Sequence, residues 1–123
     1  MDYPLEYYHF FIAFNEEDYY TCHDLLEDIW MEDKANLFVK GLIQMCVGLY
    51  HYSYGNIKGA LSMLKVARDY LSSYRPSYWD LDVEYVLSHI DICLSLITEQ
   101  NSCFDEKGDL PTLPTLYLYL KGH

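Results

Sequence analysis

The sequence predicts an all-α fold. It reads as a single-domain bundle of about five antiparallel helices with tetratricopeptide-like hairpins and an extended C-terminal tail. Three observations predict it. Apolar residues recur at helical spacing, as in Ala60, Leu64, Ala67 and Leu71, or Val83, Leu87, Ile90, Leu94 and Ile97. Apolar residues make up 51% of the 123 and aromatics 17%, which is ample surface to bury against the entropy of ordering the chain. Strand-like alternation is confined to residues 110–120.

The first helix opens at Pro4, a residue suited to a first turn. Tyr7, Phe10, Phe11 and Phe14 give it an apolar face. Asn15-Glu16-Glu17-Asp18 breaks that run and supplies cap candidates for a second helix over roughly residues 17–31. Glu32-Asp33-Lys34 is a polar connection. A third helix follows over about 35–54, punctuated by Gly55-Asn56, and a fourth over about 57–74. Arg75-Pro76-Ser77 ends the fourth, because the residue before proline is pushed out of the helical region. Asp80 or Asp82 caps the fifth. Residues 1–101 therefore form the helical bundle and 102–123 an extended tail, with Pro111, Pro114 and the alternating Leu116-Tyr117-Leu118-Tyr119-Leu120. A tail this apolar is expected to lie on its own bundle or on a neighbouring chain.

Two patterns concern how the helices pack. Asp18-Tyr19-Tyr20-Thr21-Cys22 opens the second helix much as Asn56-Ile57-Lys58-Gly59-Ala60 opens the fourth, thirty-eight residues on. This is the shape of stacked helical hairpins. Gly41, Gly48 and Gly55 are seven apart and share one face. Glycine inside a helix costs about 1 kcal/mol relative to alanine, and close approach of another helix is the usual compensation. The third helix is thus expected to be central.

Charge and cysteine usage exclude several function classes. Nineteen acidic residues against eight basic give −11, and no window clusters Lys and Arg for phosphate contacts. Neither nucleic acid nor an anionic membrane is an expected partner. The opening Met-Asp-Tyr-Pro-Leu-Glu lacks the basic start and apolar stretch of a secretory signal. The most apolar window, residues 41–54, is too short to span a membrane and contains Gln44 and His51. Cys22, Cys46, Cys93 and Cys103 match no zinc framework and read as reduced thiols of a cytoplasmic protein. Gly-rich phosphate loops, calcium loops and nucleophile motifs are absent.

The second helix carries the one constellation with chemical potential. At roughly 100° per residue, His23, Glu27 and Trp30 fall on one face, at the rim of the apolar arc of Cys22, Leu25, Leu26 and Ile29. Lys40, Gln44, Val47 and His51 align similarly on the third helix. If these helices pack antiparallel, their polar stripes meet in a candidate pocket of His23, Glu27, Trp30, Gln44 and His51. Two histidines and a carboxylate, His23, Glu27 and His51, form a competent ligand set for a divalent metal such as zinc, iron or manganese. They also form a competent acid–base pair. The simpler alternative is a hydrogen-bonded i, i+4 pair that closes the core edge. By the same simpler reading Trp30 is core, Gln44 and His51 cap or support, and His9, His89 and His123 lie on the surface.

The stretch His23-Asp24-Leu25-Leu26-Glu27-Asp28-Ile29-Trp30 resembles the H-x-x-x-E-x-x-W pattern of the domain of unknown function 309 family. Phe14-Asn15, Gly41-Leu42-Ile43-Gln44, Tyr50-His51, Gly55-Asn56 and Gly59-Ala60 resemble that family too, so the likeness spans about residues 5–76. Members often have Glu directly after the histidine, where this chain has Asp24. The resemblance implies an all-helical bacterial or archaeal protein without an established activity, in which metal binding by the His and Glu has been suggested. Three functions stay open. One is a cytoplasmic helical binding or scaffold module with a polar pocket, taking a small ligand or protein partner. The second is a metal-dependent, hydrolase-like enzyme using His23 and Glu27. The third is a structural or oligomerising protein, such as a homodimer.

Overall fold

The computed structural model describes residues 3–102 and 112–121, so Cys103, Pro111 and His123 lie outside the described residues. Five helices follow one another: α1 (Leu5–Asn15), α2 (Tyr19–Glu32), α3 (Leu37–Ser53), α4 (Ile57–Leu71) and α5 (Val83–Ser102). Each packs on the next, and α3 with α4 shares the most extensive contact. The connections after α1, α2 and α3 are three or four residues long, which makes these neighbours antiparallel. The fourth helix stops at Leu71, three residues earlier than expected, and continues as a single 3₁₀ turn over Ser72–Tyr74. Among the described residues no helix is long and apolar enough to cross a membrane.

The echo between the second and fourth helices is a repeated turn. Glu17 adopts a left-handed backbone (φ 62°) and Asp18 then caps α2, accepting from the Thr21 amide at 3.2 Å. Gly55 (φ 79°) and Asn56 do the same for α4, with Asn56 accepting from the Gly59 amide at 2.9 Å. Such caps satisfy amides that the helix itself leaves without partners. Gly55 therefore belongs to this turn and not to the helix face shared by Gly41 and Gly48. Those two do face α4: a Cβ at Gly41 would meet Leu71 at 2.9 Å, and one at Gly48 would meet Leu64 at 2.9 Å.

Between α4 and α5 the chain forms an element that the apolar periodicity did not reveal. Strands β1 (Ser77–Tyr78) and β2 (Leu81–Asp82) pair antiparallel, with Ser77 opposite Asp82 and Tyr78 opposite Leu81. The two turn residues, Trp79 (φ 49°) and Asp80 (φ 56°), are both left-handed without being glycine. That conformation costs each of them about 1–2 kcal/mol and needs tertiary support. The Tyr7 hydroxyl donates to the Trp79 carbonyl at 2.9 Å, and the Tyr3 hydroxyl to the Asp80 carboxylate at 2.8 Å. The Lys121 amide donates to the Asp80 carbonyl at 2.6 Å. Of the two expected caps for α5, Asp82 is the one used: its carboxylate accepts from the Tyr85 amide at 3.0 Å.

The core runs through all five helices and holds no buried charged or polar side chain among the described residues. Residues 112–121 lie extended on this bundle. Leu116 and Leu118 are buried while Tyr117 and Tyr119 are exposed, as two-residue alternation requires. One side chain fixes this segment from both sides. The Asn15 amide donates to the Leu118 carbonyl at 2.9 Å, and its oxygen accepts from the Leu118 amide at 2.7 Å. Asn15→Ala leaves both partly buried backbone groups without partners, an expected loss of about 1–3 kcal/mol. Limited proteolysis should then cut within residues 112–121 well before the bundle. A variant whose segment resists protease as the parent does would contradict this anchor.

Candidate functional site

The polar stripe of α2 stands where the wheel places it, at the edge of the core. The His23 side chain is 36% exposed and that of Glu27 51%. Imidazole Nε2 lies 3.2 Å from the Glu27 carboxylate one turn on, and Nδ1 lies 3.4 Å from Asp24. With Glu27 half in water, this pair avoids the cost of burying an unpaired carboxylate.

The cleft beside His23 has other walls than the polar stripes suggested. A cavity of about 180 Å³ is lined by Tyr19, Tyr20, His23, Val47 and Tyr50. Val47 comes from the expected stripe of α3; the tyrosines were not among the candidates. Tyr20 and Tyr50 have ring centres 5.9 Å apart, and Tyr50 and Tyr54 4.8 Å apart, so the rings form one wall. A hydrogen bond with Tyr54 raises the Tyr50 hydroxyl above its ordinary pKa, and burial adds to it. Burial likewise pushes the Tyr19 hydroxyl up, so both tyrosines stay neutral at neutral pH.

The remaining candidates are held elsewhere. Trp30 is partly buried against the core and carries Lys40 at 4.5 Å and Lys34 at 5.7 Å from its ring centre. Both are within cation–π range. Its indole Nε1 is buried without a hydrogen-bond partner. Gln44 is half-buried on α3. His51 turns toward the start of α4. The Asn56 side-chain amide donates to its Nδ1 at 3.2 Å, and its ring sits where a Cβ on Gly59 would come within 3.0 Å. His51 thus steadies the cap of α4, and His23, Glu27 and His51 do not converge on one point. Among the described residues no three His, Cys, Asp or Glu side chains gather to hold a metal.

One pair resembles catalytic machinery, and its histidine, His89, was read from the sequence as surface. His89 is half-buried, with Nε2 3.4 Å from the Cys93 sulfur one turn on. A nucleophilic thiol needs a depressed pKa and access. Here burial pushes the Cys93 thiol up to about 11 and lowers the imidazole, so both favour their neutral forms. Cys93 is also fully buried. The spacing alone would have shown the pair; only burial shows that it is inert. Cys22 and Cys46 are buried free thiols too, and burial together with a hydrogen bond to Cys22 holds the Cys46 thiol high.

Comparison with known proteins places this arrangement. The family model described as "Domain of unknown function (DUF309)" matches residues 7–63, from α1 through the first half of α4. The chain resembles this family over 57 of its 123 residues. The match takes in α2, α3 and the whole cleft beside His23. The chain is similar to "Uncharacterized protein YpuF" of Bacillus subtilis (strain 168), with 31% identity over 87 residues. That alignment covers 68% of this chain and 50% of the relative, so the chain spans about half the length of the curated relative that it matches. No solved structure matches the chain, so the tetratricopeptide-like character expected of the hairpins gains no support there.

Proposed function

We propose that this protein is a helical binding module that works through the cleft between α2 and α3. The observation that carries the reading is the cleft itself. It holds His23, which is oriented by Glu27, beside Tyr19, Tyr20, Val47 and Tyr50, in a space of about 180 Å³. A cavity of about 150 Å³ accommodates one benzene ring. The cleft therefore suits a single ring or a short side chain, with the His23 imidazole and the Tyr50 hydroxyl as orienting polar groups. It is open on one side, which suits a group presented by a partner. The cytoplasm is the setting for this reading, since Cys22, Cys46 and Cys93 are free thiols.

Nuclear magnetic resonance on the ¹⁵N-labelled full chain tests this reading, with phenol and indole as ring probes. Amide shifts should move for Tyr19, Tyr20, His23, Val47 and Tyr50, saturating at about millimolar probe, the range open to so small a ligand. Val47→Phe fills the cleft from α3 and should abolish the response. A parent without shifts at these residues, or a Val47→Phe variant that still responds, would overturn the reading.

A further inference from the structure

The negative charge of the chain is not spread along it. Residues 1–33 hold ten of the nineteen acidic side chains and no Lys or Arg, so ten of the eleven units of net negative charge reside there. The remaining residues set nine acids against eight bases. Eight of these ten lie on α1, α2 and the turn between them, Asp33 directly follows α2, and Asp2 lies outside the described residues. On α2, Asp24, Glu27, Asp28 and Glu32 are all exposed. Among the described residues the ion pairs made by arginine, Arg68–Asp91 and Arg75–Glu84, lie between other elements, and α2 carboxylates pair only with His23.

Each end of α2 opens into a cleft that sets carboxylates beside aromatic rings. At its start, Glu17 and Asp18 stand with Tyr20, Tyr50 and Tyr54 around a space of about 600 Å³. Tyr20 is 60% exposed and Tyr54 73%, so their faces are available. At its other end, Glu6, Asp28, Glu32 and Asp33 line a cleft of about 310 Å³ together with Trp79. Trp79 is held there in its left-handed turn by the Tyr7 hydroxyl. Neither lining includes a Lys or Arg. A ring face attracts an ammonium or guanidinium, and a neighbouring carboxylate pairs with it.

We infer that the α1–α2 side is the docking surface for a basic segment of a partner protein, with one Lys or Arg side chain entering the tyrosine cleft and another the Trp79 cleft. This rests on the reading of the chain as a binding module and names the chemistry of what it binds. The span agrees. Fourteen residues of α2 extend about 21 Å, which an extended segment of about seven residues matches. Charge complementarity commits the occupant: a neutral or acidic segment would leave this many carboxylates facing it unpaired.

The test is titration of the full chain with an octalysine peptide, with octaglutamate as control. Octalysine should shift the amides of Tyr20, Tyr54, Asp28 and Trp79, and its affinity should fall at least about tenfold between 50 and 300 mM salt as screening shortens. Tyr20→Ala with Tyr54→Ala should weaken binding about tenfold, about threefold for each ring, at unchanged net charge. Both rings are exposed, so the fold tolerates their loss. Tyr85→Ala with Tyr117→Ala removes two exposed rings elsewhere and should change nothing. Equal binding by the two double variants, or octalysine shifts spread evenly over the molecule, would overturn the inference. Phenol binding beside His23 without any octalysine response overturns the basic partner and leaves the cleft reading standing; failure of both probes overturns both.

Discussion

Gly48→Val is expected to lower the stability of the fold by about 3 kcal/mol, the upper end of what overpacking costs. A Cβ at this position would lie 2.9 Å from Leu64 Cγ and 3.1 Å from its Cδ2. Leu64 is buried, so its side chain has nowhere to turn. The Leu64 backbone nitrogen would be 3.2 Å away, and it moves only if α4 moves. Two turns earlier, Gly41 meets Leu71 at 2.9 Å and the Tyr70 Cβ at 3.1 Å, so the contact is a seam along both helices. Displacing α4 at Gly48 therefore strains it at Gly41 as well. Gly48→Ala adds one methyl and recovers about 1 kcal/mol of helix propensity, so its net loss should be smaller, about 1 kcal/mol. Urea unfolding followed by circular dichroism measures both. A valine variant as stable as the parent would show that α3 and α4 do not meet in this register.

That seam was legible because helix periodicity and the cost of glycine act within a few residues. The same locality made the helices, the His23–Glu27 spacing and the cap at Asp18 readable. What failed to read depended on which way an element turns after it leaves its neighbour. Lys40, Gln44, Val47 and His51 share a stripe on α3, but only Val47 reaches the His23 cleft. His51 lies in the last turn, where Asn56 comes within 3.2 Å and competes for the ring. Fourteen tyrosines gave no means of choosing Tyr19, Tyr20 and Tyr50 as walls, since any of them suits a core margin. The Trp79-Asp80 turn lacks the glycine or asparagine that marks such turns, and is imposed by bonds from Tyr3, Tyr7 and Lys121, all distant in sequence.

Phe38→Ala carries the other large expected effect, a loss of about 4 kcal/mol. Phe38 lies in the first turn of α3 and is fully buried. Its ring centre is 4.9 Å from Tyr78, 5.5 Å from Tyr74, 5.8 Å from Trp79 and 6.4 Å from Tyr7. Those four rings belong to α1, the 3₁₀ turn and the β hairpin, so one side chain joins α3 to three elements that are distant in sequence. Removing it deletes the transfer energy of a phenyl group and leaves a cavity that those rings cannot all close. Trp79 is already held in a conformation that costs energy, so it should be the first to move, and its fluorescence should report a change in native-state environment beyond the loss in stability. Phe38→Leu keeps most of the volume and should recover more than half of the loss. The consequence for binding is specific. The Trp79 cleft depends on this hub, whereas the His23 cleft is built from α2 and α3 alone. In Phe38→Ala protein kept folded at low temperature, phenol should still bind beside His23 while the octalysine response at Trp79 weakens. Equal loss at both clefts would mean that the hub supports the bundle as a whole and not one end of α2.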